Sequence, residues 1–316
     1  MVRVGLIGCG IIGTVHAARL AQIENVDFVA AVDIIPERAE KIAQEHGARA
    51  FTDYTDILDL VDVVWVCTPP DTHRDITVTC LSADLHVFCE KPMALSLAEA
   101  DDMIAAAKSS GKLLGIGYCL RFLPWADKCR QLVADGELGE ISMAWIARMS
   151  DMPGTDWLGI QERSGGMLTE QTTHNIDWLR YVLGDVTKVH GMAKTVLPNV
   201  TIADNVVGLL EFANGAIGQL MASWSCAANW IDSGIVGTKG VLRTGQGGKI
   251  TVDRFGEETQ VYEPESLDMY LVQDQAFIDA ISNGGTWPMD PEEAKKSLAV
   301  SLGVLEAAKT GQPVTL

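Results

Sequence analysis

The chain has 316 residues, and its composition and charge exclude several classes of protein. At about 150 residues per domain this length predicts two domains, and 47% hydrophobic residues suffice for well-buried cores, which excludes a disordered or fibrous chain. Lys and Arg number 24 against 42 Asp and Glu, so the net charge of −18 would repel nucleic-acid phosphates and anionic lipid. We therefore expect neither nucleic acid nor a membrane surface as a partner.

The sequence indicates neither an export signal nor a membrane span. Its start, MVRVGLIGCG, has one arginine and then glycines where a signal peptide needs an unbroken apolar run. No apolar run reaches the roughly 18 residues of a membrane span. The seven cysteines form an odd set without a C-x-x-C pair, which is typical of reduced core thiols. We expect a cytoplasmic protein.

Residues 1–120 alternate short β-branched runs with segments of helical period, the pattern of a parallel sheet covered on both faces. The predicted strands are Val2–Ile7, Phe28–Val32, Val63–Cys67, Leu85–Cys89 and Leu113–Gly117. The predicted helices are Thr14–Gln22, Pro36–His46, Thr72–Ser82 and Leu97–Ser109. Ser96, with Glu99 three residues on, and Gly111 bound the last helix. Because crossovers between parallel strands are right-handed, we expect a doubly wound α/β domain, a Rossmann fold.

A glycine-rich turn follows the first predicted strand and opens a helix. Its letters, GCGIIG, match G-x-G-x-x-G in its full strand-and-helix context, which disfavours a plain glycine turn. The first glycine allows a tight turn, the second lets backbone approach a pyrophosphate, and the third permits close helix packing. The candidate cofactor-binding residues here are Gly8, Gly10, Ile11, Ile12 and Gly13.

Asp33 follows the second predicted strand, 20 residues after Gly13. Its carboxylate would accept hydrogen bonds from a ribose hydroxyl and would repel a 2′-phosphate. The next residues, Ile34-Ile35-Pro36, offer no cation, although Arg38 could hold a phosphate. The sequence therefore predicts NAD as the cofactor and leaves NADP open.

Two further candidates lie after the third predicted strand, at the carboxyl edge where open α/β sheets bind ligands. Thr68 and Pro69 form part of a turn that we expect to line the cofactor site. For His73, a solvated residue in the first turn of a helix and a cofactor contact are equally compatible with the sequence.

Residues 121–316 have a different pattern of predicted elements, with longer alternating strands and fewer helices. They are predicted to form a second, α+β domain with a large, mostly antiparallel open sheet. The predicted strands are Ile141–Met149, Val186–Val196, Asn205–Phe212, Ala216–Trp224 and Ile231–Gly237. The predicted helices are Trp125–Asp135, Met167–Leu183 and Pro291–Lys309. Gly136 and Gly184 end the first two, while Asp290 and Gly311 bound the third. Asn214-Gly215 indicates a two-residue hairpin.

Together these motifs resemble the glucose-fructose oxidoreductase / inositol dehydrogenase (Gfo/Idh/MocA) family over nearly the whole chain. The matching pieces are Gly8–Gly13, Thr68-Pro69-Pro70, Glu90-Lys91-Pro92, Tyr118 through Arg121-Phe122, and GGMLTEQTTHNID at residues 165–177. The resemblance implies that the N-terminal half binds NAD(P). Glu90, Lys91 and Arg121 are further candidate cofactor-binding residues. It also implies that the face of the second sheet forms oligomer contacts, giving a homodimer or homotetramer. The family's catalytic lysine and histidine fall on Lys91 and His174.

The chemistry of those two residues fits the same assignment. Oxidation of a secondary alcohol removes a hydroxyl proton while hydride leaves the carbon, so a base and a hydrogen-bond donor must flank one oxygen. Lys91 and His174 supply them, and a nearby cationic nicotinamide would bring the lysine closer to a useful acid/base range. The alternative without a catalytic role is an exposed strand-end lysine for Lys91 and a histidine packed inside its helix for His174.

Glu170 and His174 are four residues apart, so on an α-helix they share a face, and the carboxylate could orient the imidazole or hold a substrate hydroxyl. The family pattern commonly has Asp where Glu170 stands and Gly where Thr172 stands, which leaves the substrate open. Asp177 is either a substrate contact or a helix-surface charge. No further His or Cys joins Glu170 and His174, so we expect no metal.

Two candidates lie outside these motifs. Trp157, in the loop-like stretch 151–164, could stack on a sugar ring. Arg121 could contact cofactor or substrate, or could form an interdomain salt bridge.

Three functions are compatible with these residues. The leading one is an NAD(P)-dependent dehydrogenase that acts on a CH–OH group of a sugar, polyol or sugar derivative, with NAD preferred. The second is an enzyme in which NAD oxidises a sugar transiently and assists glycosidic cleavage without net turnover. The third is a non-catalytic sugar or nucleotide sensor, which the presence of both Lys91 and His174 disfavours.

Overall fold

The computed structural model describes residues 1–154, 157–284 and 287–316. Its strands in chain order are β1 Val2–Ile7, β2 Val26–Val32, β3 Arg49–Phe51, β4 Val63–Val66, β5 His86–Cys89, β6 Leu114–Ile116, β7 Ile141–Asp151, β8 Val186–Lys194, β9 Asn205–Phe212, β10 Ile217–Ser223, β11 Ser225–Gly237, β12 Gly240–Thr244, β13 Ile250–Asp253, β14 Gln260–Tyr262 and β15 Val314–Thr315. Its α-helices are α1 Ile11–Leu20, α2 Pro36–His46, α3 His73–Ser82, α4 Leu97–Ser110, α5 Pro124–Ala134, α6 Gln161–Ser164, α7 Thr173–Leu183, α8 Met269–Ser282 and α9 Pro291–Thr310.

The chain divides into two compact units. The first comprises Met1–Cys119 and Asp268–Lys295, and the second comprises Leu120–Leu267 and Lys296–Leu316. The division predicted at residue 120 assigned residues 268–295 to the second domain, whereas their contacts place them in the first unit. These contacts join residues distant in sequence, which spacing along the chain does not reveal.

The first unit contains a six-stranded parallel sheet in the order β3-β2-β1-β4-β5-β6. This is the strand order of a doubly wound dinucleotide-binding fold, as the sequence predicts. The edge strand β3 was not predicted, because three residues are too few for a periodic signal. Helix α1 begins at Ile11, three residues before the predicted start, because Gly10 takes the N-cap position inside the glycine-rich turn.

The caps of α4 are those that the sequence predicts. The Ser96 hydroxyl accepts a hydrogen bond from the Glu99 N–H at 3.2 Å, and Gly111 ends α4 in the left-handed conformation with φ +70°. Such caps satisfy backbone groups that a helix end leaves without partners. The local caps therefore set the bounds of α4.

Helix α8 was not predicted, and an aromatic cluster holds it in the first unit. Phe277 of α8 packs edge-on against Trp65, Phe88 and Trp287, with ring centroids 5.1–5.6 Å apart. Each such aromatic pair contributes about 0.5–1.5 kcal/mol beyond its buried area. The helix thus belongs with strands that lie about 190 to 210 residues earlier in the chain.

The second unit contains a nine-stranded sheet in the order β14-β13-β12-β11-β7-β10-β9-β8-β15. Its neighbours are antiparallel except for the parallel pair β10 and β7, so the expected mostly antiparallel sheet is confirmed. The short strands β12, β13 and β14 were not predicted. The hydrophobic core of this unit lies on one face of the sheet and includes buried residues of α5, α7 and α9.

The hairpin at Asn214-Gly215 forms through a longer loop than predicted. Its hydrogen bonds run from the Phe212 N–H to the Ala216 carbonyl and from the Gly215 N–H to the Phe212 carbonyl, each 2.9 Å. Gly215 has φ +88°, but Asn214 does not adopt the positive φ that a two-residue type I′ turn requires at both positions. The three residues 213–215 therefore make the turn.

The predicted helix Met167–Leu183 is divided in two. Residues Leu168–Thr172 form a π-helical turn, and α7 follows from Thr173 to Leu183. A π-helical turn is wider than an α-helical one and is frequent at functional sites. Glu170 therefore does not lie on a regular α-helix with His174. The expectation that a spacing of four residues places the two side chains on one face of an α-helix is corrected accordingly.

Candidate functional site

The glycine-rich turn of the first unit has the geometry of a dinucleotide-binding loop. Gly8 has φ +97°, and a Cβ there would lie 2.7 Å from the backbone of Cys67. At Gly13 a Cβ would lie 1.9 Å from the Gly8 carbonyl oxygen, so only glycine permits this packing. At Gly10 a Cβ would meet nothing within 4 Å. The turn is thus closed on its protein side and open at Gly10.

The remaining residues of the motif begin helix α1. Ile11 is 77% exposed, Ile12 is half-buried, and no side chain in the described residues caps this helix. Exposed N–H groups at a helix N-terminus favour an anion such as a phosphate.

Asp33 is held at the end of β2 by two backbone groups. Its Oδ2 accepts a hydrogen bond from the Cys9 N–H at 2.8 Å, and its Oδ1 accepts one from the Ile35 N–H at 2.9 Å. The side chain is 8% exposed. Each carboxylate oxygen keeps further lone-pair capacity, which a ribose hydroxyl could use.

Thr68 and Pro69 follow β4 and are half-buried. The His73 ring contacts the backbone of this turn. His73 is 1% exposed, and its ring nitrogens lie 2.8 Å from the carbonyl oxygens of Thr68 and Pro92. Burial lowers the pKa of His73. The solvated alternative for His73 is therefore wrong, and its ring bridges the turn after β4 and the turn after β5.

Glu90 and Lys91 come directly after β5, at the same edge of the sheet. Glu90 is 3% exposed, and its Oε2 accepts a hydrogen bond from the Lys91 N–H at 3.1 Å. Lys91 is half-buried. Lys91 therefore lies at the end of β5 with part of its surface accessible.

Two residues that the sequence reasoning missed contact Glu90 or its partner. His16 of α1 is fully buried between Glu90 and Asp274 of α8. His16 is three residues after Gly13, inside a predicted helix, where its position carried no signal of burial. Asp274 lies in the helix that was not predicted at all.

In the second unit, Glu170 lies half-buried in the π-helical turn. The next residue, Gln171, anchors this turn to the sheet, because its Oε1 accepts hydrogen bonds from Trp224 Nε1 at 2.9 Å and Ser150 Oγ at 3.4 Å. His174 is half-buried in the first turn of α7. The π-helical turn thus carries Glu170, and α7 carries His174, the residue on which the family's histidine falls.

Arg148 of β7, in the second unit, is a further residue that the sequence did not single out. Burial lowers its pKa, and the charge of Glu170 acts in the opposite direction. Its Nε is buried and has no hydrogen-bond partner within the described part of the chain. A cation in an apolar strand pattern was a detectable signal, because charged residues are rarely buried.

Arg121 and Asp177 form a buried ion pair within the second unit. Arg121 Nε and Nη2 each donate to one Asp177 carboxylate oxygen at 2.7 Å, and Ser297 Oγ donates to the same carboxylate at 2.7 Å. Asp177 has no exposed surface, so the helix-surface alternative is wrong. The pair fixes the start of this unit to α7.

Trp157 is half-buried and packs against the hydrophobic core of the second unit. Residues 155 and 156 of its loop lie outside the described residues. Within the described residues, no three metal-ligating side chains lie together, and no helix has the length and apolarity to cross a membrane.

These features fit a dinucleotide in the first unit. The turn leaves room at Gly10, a helix N-terminus meets it, and an acidic side chain ends the neighbouring strand β2. Gly8–Gly13 would hold the pyrophosphate and Asp33 the adenosine ribose.

Comparison with known proteins agrees with this geometry. Residues 2–118 match the model of the GFO/IDH/MocA oxidoreductase family with its NAD-binding Rossmann fold, and residues 126–243 match the C-terminal domain of GFO/IDH/MocA proteins. The chain is 28% identical to myo-inositol 2-dehydrogenase of Thermotoga maritima over 99% of this chain and 98% of that protein. It is 28% identical to 2,7-anhydro-N-acetylneuraminate hydratase of Escherichia coli over 85% of this chain and 75% of that protein. The crystal structure of GenD2 from gentamicin A biosynthesis in complex with NAD is 28% identical, with a TM-score of 0.89 over 100% of this chain and 96% of that one.

Proposed function

The chain belongs to the GFO/IDH/MocA family of NAD-binding oxidoreductases, and from this premise we propose that it transfers hydride between nicotinamide and a secondary alcohol of a sugar or polyol. The observation that carries the proposal is the position of Lys91, half-buried directly after β5 in the same unit as the dinucleotide-binding turn. Bound NAD would supply the hydride acceptor. NAD is preferred over NADP in this proposal, because Asp33 would repel a 2′-phosphate.

The proposed catalytic residues are Lys91, His174 and Glu170. Lys91 accepts the hydroxyl proton during oxidation, and His174 donates a hydrogen bond to the same oxygen. General acid/base catalysis of this kind is worth roughly 10² to 10⁴ in rate. Glu170 orients His174 or binds a substrate hydroxyl, and Trp157 contributes an aromatic face for the sugar ring.

The proposal is tested by a screen of cyclitols, aldoses and anhydro sugars with NAD and with NADP. The expected result is formation of reduced nicotinamide with at least one of them, faster with NAD. If no compound is oxidised while NAD binds in a separate binding measurement, the dehydrogenase assignment fails and the cofactor assignment stands.

A second candidate is a reaction without net consumption of NAD. One relative is named a hydratase rather than a dehydrogenase. In this case transient oxidation of the sugar assists cleavage or addition at a neighbouring carbon. Release of a reporter aglycone from a glycoside, with no accumulation of reduced nicotinamide, would favour it.

We also propose that the protein forms homo-oligomers through the second sheet. The outer face of this sheet carries exposed apolar side chains, namely Met143, Met192, Val207, Leu209 and Ile217. Met143 lies opposite Ile217, and Met192 lies opposite Val207. Large exposed apolar patches mark interaction sites on soluble proteins. A second copy of this chain is the proposed partner.

A cytoplasmic location completes the proposal. All seven cysteines are free, and six of them are buried. Burial raises the pKa of the Cys9, Cys80 and Cys129 thiols to about 12, which keeps them protonated and unreactive. Fractionation of cells that express the chain at its natural level would test the location.

A further inference from the structure

The first unit buries an ionic cluster that the proposed chemistry does not use. His16 Nδ1 lies 2.8 Å from Asp274 Oδ2, and His16 Nε2 lies 3.0 Å from Glu90 Oε1. Asp274 Oδ1 also accepts a hydrogen bond from Trp65 Nε1 at 3.0 Å. His16 and Asp274 have no exposed surface, and Glu90 has 3%. The cluster joins α1, α8 and the end of β5.

The geometry favours a charged imidazole. Both ring nitrogens of His16 contact carboxylate oxygens, and only the imidazolium form has an N–H on each nitrogen. Burial by itself lowers the pKa of His16, but the charges and hydrogen bonds of Asp274 and Glu90 outweigh it and raise the pKa to about 10. Burial also raises the pKa of Asp274, and the charge and hydrogen bond of His16 act against it. With the proton on His16, the cluster is a cation between two anions.

Other groups near the cluster come from the end of β4, from β5 and from α8. Cys67 follows β4 and Cys89 ends β5, and burial raises the pKa of both thiols, so both are neutral. The Tyr270 ring of α8 lies edge-on to His16 at 5.4 Å, and the Phe88 ring lies at 5.5 Å. His73 and Lys91 are further ionisable neighbours of Glu90.

The cluster fixes the Glu90 carboxylate from two sides. One oxygen accepts the His16 hydrogen bond, and the other accepts the Lys91 N–H at 3.1 Å. Gly117 provides the room, because a Cβ there would lie 2.7 Å from Glu90 Oε1. A displaced carboxylate would therefore move the backbone from which the Lys91 side chain extends.

We propose that His16, anchored by Asp274, is a positioning residue that keeps the Glu90 carboxylate ionised and in place, and so sets the backbone of the catalytic Lys91. The proposal rests on the proposed function, in which Lys91 accepts the substrate proton. His16 and Asp274 act through Glu90 and do not touch the substrate.

Substitution of His16 and substitution of Asp274 should change the pH dependence of activity in opposite directions. In His16→Asn, two buried carboxylates lose the cation between them, their pKa values rise, and one takes a proton as the pH falls. Activity is then lost on the acid side. In Asp274→Asn, His16 keeps only one anion, its pKa falls, and it loses its proton as the pH rises. Activity is then lost on the alkaline side.

The first experiment measures the charge on His16 without using activity. The full chain is labelled with ¹⁵N-histidine, and its ring signals are followed by NMR from about pH 6 to about pH 9. The signal that His16→Asn or His16→Gln removes is assigned to His16. We expect it to stay in the imidazolium form over this range, and a neutral ring at pH 7 would overturn the proposal.

The second experiment compares kcat of each variant with kcat of the wild type across the same pH range, because the ratio cancels the titration of Lys91 itself. We expect His16→Asn and Asp274→Asn to lower kcat about 10-fold to 100-fold, with pH slopes of opposite sign and a smaller change in NAD affinity. The control is Arg19→Gln, which removes the exposed ion pair from Arg19 of α1 to Asp268 at the start of α8.

A purely structural role predicts pH-independent ratios in both cluster variants, and that result would overturn the proposal. So would an equal loss in Arg19→Gln. If the wild type oxidises no sugar or polyol, the proposed function fails, whereas the NMR titration still decides whether His16 is the buried cation.

Discussion

A methyl group on Gly13 would lie 1.9 Å from the carbonyl oxygen of Gly8, whereas one on Gly10 would meet no protein atom within 4 Å. The two glycines of one motif are thus required for different reasons. Gly13 allows α1 to pack against the preceding turn, and Gly10 leaves space for a ligand.

Alanine at these two positions should separate folding from cofactor binding. Gly13→Ala overpacks the turn and should lower the free energy of unfolding by about 1–3 kcal/mol or more. Gly10→Ala should keep the wild-type unfolding midpoint and weaken NAD binding at least about tenfold, because its methyl enters the pyrophosphate space. Thermal unfolding and calorimetric titration with NAD measure the two effects. Unchanged NAD affinity in Gly10→Ala would contradict the assigned binding site.

Asp33 should control the choice between NAD and NADP. Asp33→Ser removes the negative charge and keeps a group that can accept the Cys9 or Ile35 N–H. We expect kcat/KM with NAD to fall and kcat/KM with NADP to rise, since the repulsion of the 2′-phosphate is lost. The control is Asp27→Ser, which removes a charge from the exposed part of the same strand β2. A similar change in that control would show a general charge effect.

Lys91→Ala should separate chemistry from cofactor binding. Loss of the proton acceptor should lower kcat by roughly 10²-fold or more, while the affinity for NAD changes little. Lys108→Ala is the matched control, because it removes a lysine of the same unit from the exposed pair with Glu292. Wild-type turnover in Lys91→Ala would contradict its role as the base.

The buried pair of Arg121 and Asp177 should dominate the stability of the second unit. Arg121→Met leaves the buried Asp177 charge without its bidentate partner and should cost about 3–5 kcal/mol in unfolding free energy. Arg130→Met, which breaks an exposed pair with Asp127, should cost about 0–1 kcal/mol. Urea denaturation measures both. Equal effects would mean that Arg121 stabilises the unit by packing alone.

The outer face of the second sheet should determine the oligomeric state. Leu209→Asp places a charge among exposed apolar residues of that face and should shift the protein toward monomer in sedimentation measurements. Phe255→Asp is the control, because this equally apolar and more exposed residue lies in the loop between β13 and β14. Dissociation by the control, or none by Leu209→Asp, would exclude this face as the interface.

The sequence by itself determined features that depend on neighbours a few residues apart. The bounds of α2 and β9, the caps of α4 and α9, and the glycine-rich turn all follow from spacing within one or two helical turns. Such signals are local, so they are legible without knowledge of the rest of the fold. The doubly wound sheet follows from their order.

Only the tertiary structure decided which polar residues are buried and with whom. His16 and Asp274 are 258 residues apart, and nothing in the spacing of either one marks it as half of a buried ion pair. The π-helical turn at Glu170 likewise depends on the anchoring of Gln171 by Trp224, which lies 53 residues away. Burial and pairing arise from contacts that close only when the chain folds, whereas periodicity reports only which face of an element is apolar.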